Sequence, residues 1–191
     1  MMKRIGMAAA ATLLLSTAAF AHPGHDDSGL TAGLLHPLTG ADHLLAMLAV
    51  GLWSAIALRG KAVFAAPACF VLAMLAGAGL AFVGVSLPFV EGMIAFSVLA
   101  MGLLLAFRLE LPVAVGAGIV GLFALFHGYA HGSEATGDVG GFIAGFAVTT
   151  ALLHLAGIGI GTGLLRLNVS KVAAALLGGG IAIAGIAMLA G

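Results

Sequence analysis

The sequence predicts an all-α membrane protein with six transmembrane helices behind a cleaved N-terminal signal peptide. Three observations predict it: an apolar composition, six apolar stretches of near-spanning length, and basic residues confined to alternate loops. Of the 191 residues, 62% are hydrophobic and only 7% are charged, and the mean hydropathy is +1.24. A soluble domain is about one-quarter charged. The composition argues against a soluble enzyme and, with a net charge of zero, against a nucleic-acid partner.

Residues 1–21 have the pattern of a secretory signal peptide. Two basic residues precede a short apolar run, and an A-x-A cleavage site ends at Ala21. The apolar run is shorter than the roughly 20 residues that cross a bilayer, which disfavours the alternative of an uncleaved additional span. We therefore expect a periplasmic N-terminal segment over 22–35 and a six-helix transmembrane domain over 36–191.

The remainder of the chain divides into six apolar stretches, each close to the length of a membrane-spanning helix. They lie at about 36–58, 62–85, 89–107, 111–130, 140–165 and 172–190. The basic residues between them are Arg59, Lys61, Arg108, Arg166 and Lys171. These residues fall in alternate loops, which are cytoplasmic by the positive-inside rule. The sequence therefore predicts a multi-pass protein of the bacterial inner membrane with both mature termini in the periplasm.

A polar cluster opens the first stretch, within HPLTGADHLLAM at 36–47. It contains His36, Asp42 and His43. We expect Pro37 to start the helix with His36 at its entrance, so that His36 and His43 lie two turns apart on one face. Ionisable side chains are costly inside a bilayer, which makes these residues functional candidates.

A second cluster, FHGYAHGSE at 126–134, ends the fourth stretch. His127 and His131 share a helical face at i, i+4 spacing, a common arrangement for two metal ligands, and Glu134 extends that face. Glu91 opens the third stretch. All these residues fall at periplasmic helix ends, so the sequence predicts a cation site that opens to the periplasm. The alternative is a polar network that holds the helices together.

The ligand types narrow the cation without identifying it. Imidazole suits Ni²⁺, Cu²⁺, Zn²⁺ and iron, and the carboxylates favour a divalent ion. Cys69 is the single cysteine, so no thiolate cluster is available. Ni²⁺, Co²⁺ and Zn²⁺ therefore stay open, and no organic cofactor is expected. His22 and His25 near the mature N-terminus are candidates for auxiliary metal capture, and His154 in the fifth stretch is a candidate relay or a packing residue.

The motifs at 36–47 and 126–134, with AHPGH at 21–25, resemble the signatures of the HupE/UreJ family of hydrogenase and urease accessory membrane proteins. The resemblance covers essentially the whole chain. It implies a small nickel permease that serves metalloenzyme maturation, although some relatives carry cobalt. It also implies that a metal site is formed by residues of both motifs and by the acid of the third stretch. These residues are His36, Asp42, His43, Glu91, His127, His131 and Glu134.

The expected function is a secondary transporter or facilitator that imports Ni²⁺, since the chain has no GxxxxGK[ST] loop for ATP. The alternative is an intramembrane zinc-dependent hydrolase, in which the histidines and Asp42 activate water. A haem-binding cytochrome is a third reading and needs histidines that face each other across helices. The expected partners are a divalent metal ion and the lipid bilayer. A homo-oligomer and an outer-membrane or metallochaperone partner are both compatible with the sequence.

Overall fold

A computed structural model of the protein describes residues 29–191. The signal peptide predicted over 1–21, together with His22 and His25, lies outside the described residues. The same is true of the first half of the N-terminal segment predicted over 22–35. These expectations therefore stay predictions.

The described residues fold into α-helices joined by short connections, as the composition predicts. They form α1 (Leu30–Thr39), α2 (Ala41–Ala57), a 3-10 turn (Gly60–Phe64) that leads directly into α3 (Ala65–Phe82), α4 (Val90–Ala106), α5 (Val113–Glu134), α6 (Val139–Arg166) and α7 (Ser170–Ala190). No strand occurs between residues 29 and 191. The all-α class is thereby confirmed.

Four helical segments are long and apolar enough to cross a membrane: Gly60–Phe82, α5, α6 and α7. The pair α1 and α2 passes the same test jointly and counts as a fifth span, although it is bent by 81°. The remaining predicted span coincides with α4, an apolar helix of 17 residues that is shorter than the usual spanning length. Residues 29–191 thus form an apolar helix bundle with four or five candidate spans, and the six-span topology stays a prediction.

The first predicted helix differs from the observed one at its start. Helix α1 begins at Leu30, well before Pro37, because its first turns pack closely against α6. The Thr149 hydroxyl donates a hydrogen bond to the Leu34 carbonyl at 2.8 Å, and a Cβ atom at Gly33 would overlap the backbone of α6. The prediction that Pro37 starts the helix, with His36 at its entrance, is therefore wrong.

The predicted helix over 36–58 is also interrupted. Gly40 has an extended backbone (φ −87°, ψ 116°) and separates α1 from α2. Pro37 lies inside the last turn of α1 and has no N–H to donate, which weakens that turn. The carbonyl of His36 accepts hydrogen bonds from the Gly40 N–H and the Thr39 hydroxyl, and these bonds close the helix end. The broken span therefore has its bend next to the first polar cluster.

The bundle is built from closely approaching helix pairs: α3 with α5, α4 with α7, and α6 with both α1 and α2. Glycines make this approach possible, because a side chain at these positions would overlap the backbone of the facing helix. The reciprocal positions are Gly77 and Gly128, Gly102 and Gly178, and Gly51 and Gly157. The outer surface carries large apolar side chains such as Leu72, Leu176 and Ile183, which suits contact with lipid.

Candidate metal site

Four histidine rings from three helices meet at one end of the bundle. His36 lies in the last turn of α1, His43 lies in the first turn of α2, and His127 and His131 lie near the end of α5. The centroid of the His43 ring lies 4.3 Å from that of His131 and 4.9 Å from that of His127. The centroids of the His36 and His131 rings are 4.8 Å apart. We call these four residues the histidine cluster. His127 and His131 are fully buried, and His36 is partly exposed.

The bend at Gly40 gives the cluster its shape. His36 and His43 do not lie on one continuous helical face, as the sequence spacing suggests, because they belong to different helices. The 81° bend instead folds the end of α1 over the start of α2, so that the two rings lie 6.0 Å apart. The structure thus brings the two residues together by a route that helical periodicity does not predict.

Asp42 fixes the orientation of the His43 ring. Its Oδ1 atom accepts hydrogen bonds from the His43 backbone N–H at 2.8 Å and from the ring Nδ1 at 2.6 Å. A carboxylate can only accept, so Nδ1 of the ring carries the proton. In the neutral ring, Nε2 then holds a free lone pair, and this atom is buried with no hydrogen-bond partner in the described residues. A histidine that binds a metal through one ring nitrogen commonly donates a hydrogen bond from the other to a carboxylate, which orients the ring.

Ser97 plays the same part for His127, and sequence reasoning missed it. The Ser97 hydroxyl donates its proton to the Ile94 carbonyl at 2.6 Å, so its contact with His127 Nε2 at 2.9 Å is one in which the ring donates. The lone pair of His127 is therefore on Nδ1, which is buried without a partner among the described residues. The sequence did offer one signal, the depth of Ser97 in the membrane. Ser97 lies about as far from Glu91 along its helix as His127 lies from Glu134, so the two residues are expected at a similar depth.

The outer part of the cluster includes a carboxylate. Oε2 of Glu134 lies 3.5 Å from Nε2 of His36 and 3.8 Å from Nδ1 of His131. Ligand atoms of these three residues all lie within 4.8 Å of one another, a spacing that a metal ion could bridge. Glu134 is 54% exposed, so this group forms the accessible mouth of the cluster.

Glu91 lies apart from the rings. It is exposed in the first turn of α4 and lines an open cavity of about 540 Å³ together with Asp42. The other walls are mainly apolar and come from α4 and the end of α7. Among the described residues, no hydrogen bond or ion pair joins Glu91 to the histidines. Glu91 therefore relates to the other predicted site residues through the cavity that it shares with Asp42, and its part in a metal site stays a prediction.

His154 lies deeper, on α6, and is only 1% exposed. Neither ring nitrogen has a hydrogen-bond partner in the described part of the chain. If His154 were a packing residue, its ring would be expected to bond a hydroxyl or a carbonyl, and the described residues show no such bond.

Aromatic side chains of neighbouring helices enclose the cluster. The Phe146 ring of α6 lies 3.8 Å from the His131 ring, and the Phe70 ring of α3 lies 5.6 Å from the His127 ring. Both phenylalanines are buried. The sequence offers no signal for them among its 11 phenylalanines. They exclude lipid and water from the inner histidines, which strengthens any charge–ligand interaction there.

The fold and the site together define a helical membrane protein that presents imidazole and carboxylate groups at one end of its bundle. The close ring spacing leaves no slot for a porphyrin between the histidines, which argues against the haem reading. The HupE / UreJ protein family model matches residues 10–188. A curated relative, "Protein HupE" of Rhizobium leguminosarum bv. viciae, is 45% identical over 184 residues, which cover 95% of each chain.

The chain therefore belongs to the HupE/UreJ family, as its motifs indicate. This family consists of accessory proteins of the nickel and cobalt transporter kind. No solved structure matches the chain significantly.

Proposed function

We propose that the protein is a secondary transporter or facilitator that carries Ni²⁺ from the periplasm to the cytoplasm for hydrogenase or urease maturation. One observation carries the proposal: the histidine cluster offers two buried lone pairs, on His43 Nε2 and His127 Nδ1, held in place by Asp42 and Ser97. Imidazole nitrogens with nearby carboxylates suit Ni²⁺ or Co²⁺ better than Mg²⁺ or Ca²⁺. Family membership supports the same class of cargo.

The proposed direction rests on the distribution of charge along the helices. The histidine cluster lies at the ends of α1 and α5 and at the start of α2. The basic residues of the described chain lie at the opposite helix ends, which the positive-inside rule assigns to the cytoplasm. The cluster then faces the periplasm in a six-span topology that counts α4 as a span. The membrane potential would favour entry of a divalent ion by about 4.6 kcal/mol for each 100 mV.

The proposed path has a mouth and an inner part. His36 and Glu134 would capture the ion at the accessible surface, with the buried His131 behind them, and Asp42 and Glu91 would attract it electrostatically through the cavity that they line. His43 and His127 would then accept it as the ion loses water. Because the site must also release its cargo, we expect coordination that stays partly hydrated. In this proposal His22 and His25 only assist capture.

The experiment that tests this function is uptake of radioactive Ni²⁺, Co²⁺ and Zn²⁺ by cells that express the protein, compared with cells carrying an empty vector. We expect Ni²⁺ to accumulate at the highest rate, with Co²⁺ as a competitor. The zinc hydrolase receives no support from the family match. If uptake were absent and the purified protein hydrolysed lipid or peptide substrates in a zinc-dependent manner, the hydrolase would replace the transporter.

A further inference from the structure

His154 is a buried histidine that the histidine cluster does not include. It lies one helical turn beyond Thr150 on α6, in the interior of the bundle. Both ring nitrogens are buried, and neither has a hydrogen-bond partner in the described part of the chain. A buried polar group without a partner costs free energy, typically about 1–3 kcal/mol. Such a residue is expected where the protein uses the free lone pair.

The Phe70 ring separates His154 from the cluster. Its centroid lies 5.6 Å from the His127 ring and 4.9 Å from the His154 ring, and the Phe70 side chain is 1% exposed. One helical turn towards the cluster, the Thr150 hydroxyl contacts the Met74 sulfur at 3.7 Å. Thus the inward neighbours of His127 are an aromatic ring and then an unpartnered imidazole, with a thioether and a hydroxyl beside them.

A small open cavity, whose lining is apolar apart from His154, lies beside this residue. Its volume is about 190 Å³, and His154 lines it together with Phe64, Pro67 and Ala151. Phe64 and Pro67 belong to the first turns of the helix that follows the basic loop at Arg59 and Lys61. The cavity is therefore nearer to the basic end of the bundle than the histidine cluster is.

We propose that His154 is a second, inner binding station for the transported divalent cation, separated from the histidine cluster by the Phe70 ring. This inference rests on the proposed transport function. The cation would pass from His127 to His154 when the Phe70 ring turns aside. Because His154 is a single protein nitrogen ligand, the ion keeps water or the Thr150 hydroxyl in its remaining positions. This weak coordination permits release.

The test compares two variants in the full-length protein reconstituted into liposomes. His154→Leu introduces an apolar side chain of similar size and so removes the ligand, and His154→Met supplies a thioether in place of the imidazole. Ni²⁺ uptake into the liposomes reports transport. Equilibrium dialysis of purified protein against low concentrations of Ni²⁺ alone reports the tighter binding, which the proposal assigns to the outer histidine cluster rather than to the weakly coordinating His154.

We expect His154→Leu to reduce uptake by about tenfold or more while Ni²⁺ binding at the cluster stays unchanged. His154→Met should fall between His154→Leu and the wild type, because a thioether can ligate Ni²⁺ weakly. If His154→Leu fails to accumulate, the same criterion applies to His154→Met alone: reduced uptake with intact binding supports the inner station.

Four results would overturn the proposal. Uptake by His154→Leu within about twofold of the wild-type rate would show that the imidazole only packs. If only His154→Met accumulates, uptake by that variant at the wild-type rate would likewise show that the imidazole only packs. Loss of Ni²⁺ binding at the cluster in both variants would show that His154 supports the outer site instead. Absence of uptake by the wild-type protein would refute the transport function itself, which is a distinguishable failure.

Discussion

Nδ1 of His43 lies 2.6 Å from Oδ1 of Asp42, and this contact determines which ring nitrogen faces the interior of the bundle. The same carboxylate oxygen also accepts from the His43 backbone N–H, so one oxygen contacts both the backbone and the ring of His43. Asp42 additionally lines the cavity that it shares with Glu91. The acid is therefore placed to act on a cation in two ways: by its charge at the cavity, and through the imidazole that it positions.

The first prediction concerns the charge of Asp42. Asp42→Asn keeps the shape and a carbonyl oxygen that can accept from Nδ1, but it removes the negative charge. We predict that Ni²⁺ uptake by cells is abolished while the protein still accumulates in the membrane, and that His43→Ala has the same effect. Asp138→Asn is the matched control, because Asp138 is an exposed acid at the same end of the bundle that caps α6 through the Gly141 N–H. Normal uptake by Asp42→Asn would favour the structural-network interpretation of the cluster.

The second prediction concerns Ser97. Ser97→Ala removes the oxygen that accepts the Nε2 proton of His127, so the ring is no longer held with Nδ1 free. We expect Ni²⁺ uptake to fall by about tenfold, in the range seen when the partner of a ligating histidine is removed. Ser54→Ala is the control, because Ser54 is equally buried and its hydroxyl has no hydrogen-bond partner in residues 29–191. Equal uptake rates in the two variants would show that Ser97 has no positioning role.

The third prediction concerns the mouth of the cluster. Glu134→Gln removes the carboxylate that lies between His36 and His131. We expect the Ni²⁺ concentration for half-maximal uptake to rise by about tenfold, with a smaller change in the maximal rate, because capture rather than translocation is weakened. Glu110→Gln removes an exposed acid at the other end of the bundle and should be silent. A change of similar size in both variants would indicate a general effect of surface charge.

The fourth prediction concerns helix packing. A Cβ atom at Gly128 would overlap the Met74 carbonyl of α3, so Gly128→Val must separate α5 from α3. Overpacking costs about 1–3 kcal/mol or more, and we expect a clear loss of folded protein from the membrane. Gly79→Val is the control, because a Cβ atom there meets no atom within 4 Å. Quantitative immunoblots of membrane fractions measure both, and equal amounts would contradict the observed helix pairing.

The fifth prediction concerns topology. Reporter fusions at Gly60, Leu109 and Asn168 should report the cytoplasm, and fusions at Leu87 and Thr136 should report the periplasm. The reason is that the basic residues flank the first three positions and are absent from the other two loops. A cytoplasmic signal at Thr136 would rule out six spans with this orientation.

The sequence predicted the helical class and most helix bounds well, because long apolar runs leave few alternatives to helices. It also predicted that His127, His131 and Glu134 share a face, since α5 continues unbroken to Glu134. The break at Gly40 was not predicted. A glycine is compatible with a continuous helix, and the bend depends on how the preceding helix packs against α6. Ser97 and Phe70 were missed because their roles arise from contacts between helices that are distant in sequence.

Uptake by purified protein in liposomes with an inside-negative potential tests most directly whether the histidine cluster conducts Ni²⁺ inward. We predict that wild-type liposomes take up Ni²⁺ faster than protein-free liposomes, that the rate rises with the potential, and that His43→Ala reduces it to the protein-free level. Uptake no faster than in protein-free liposomes, or equal rates for His43→Ala and the wild type, would contradict the claim.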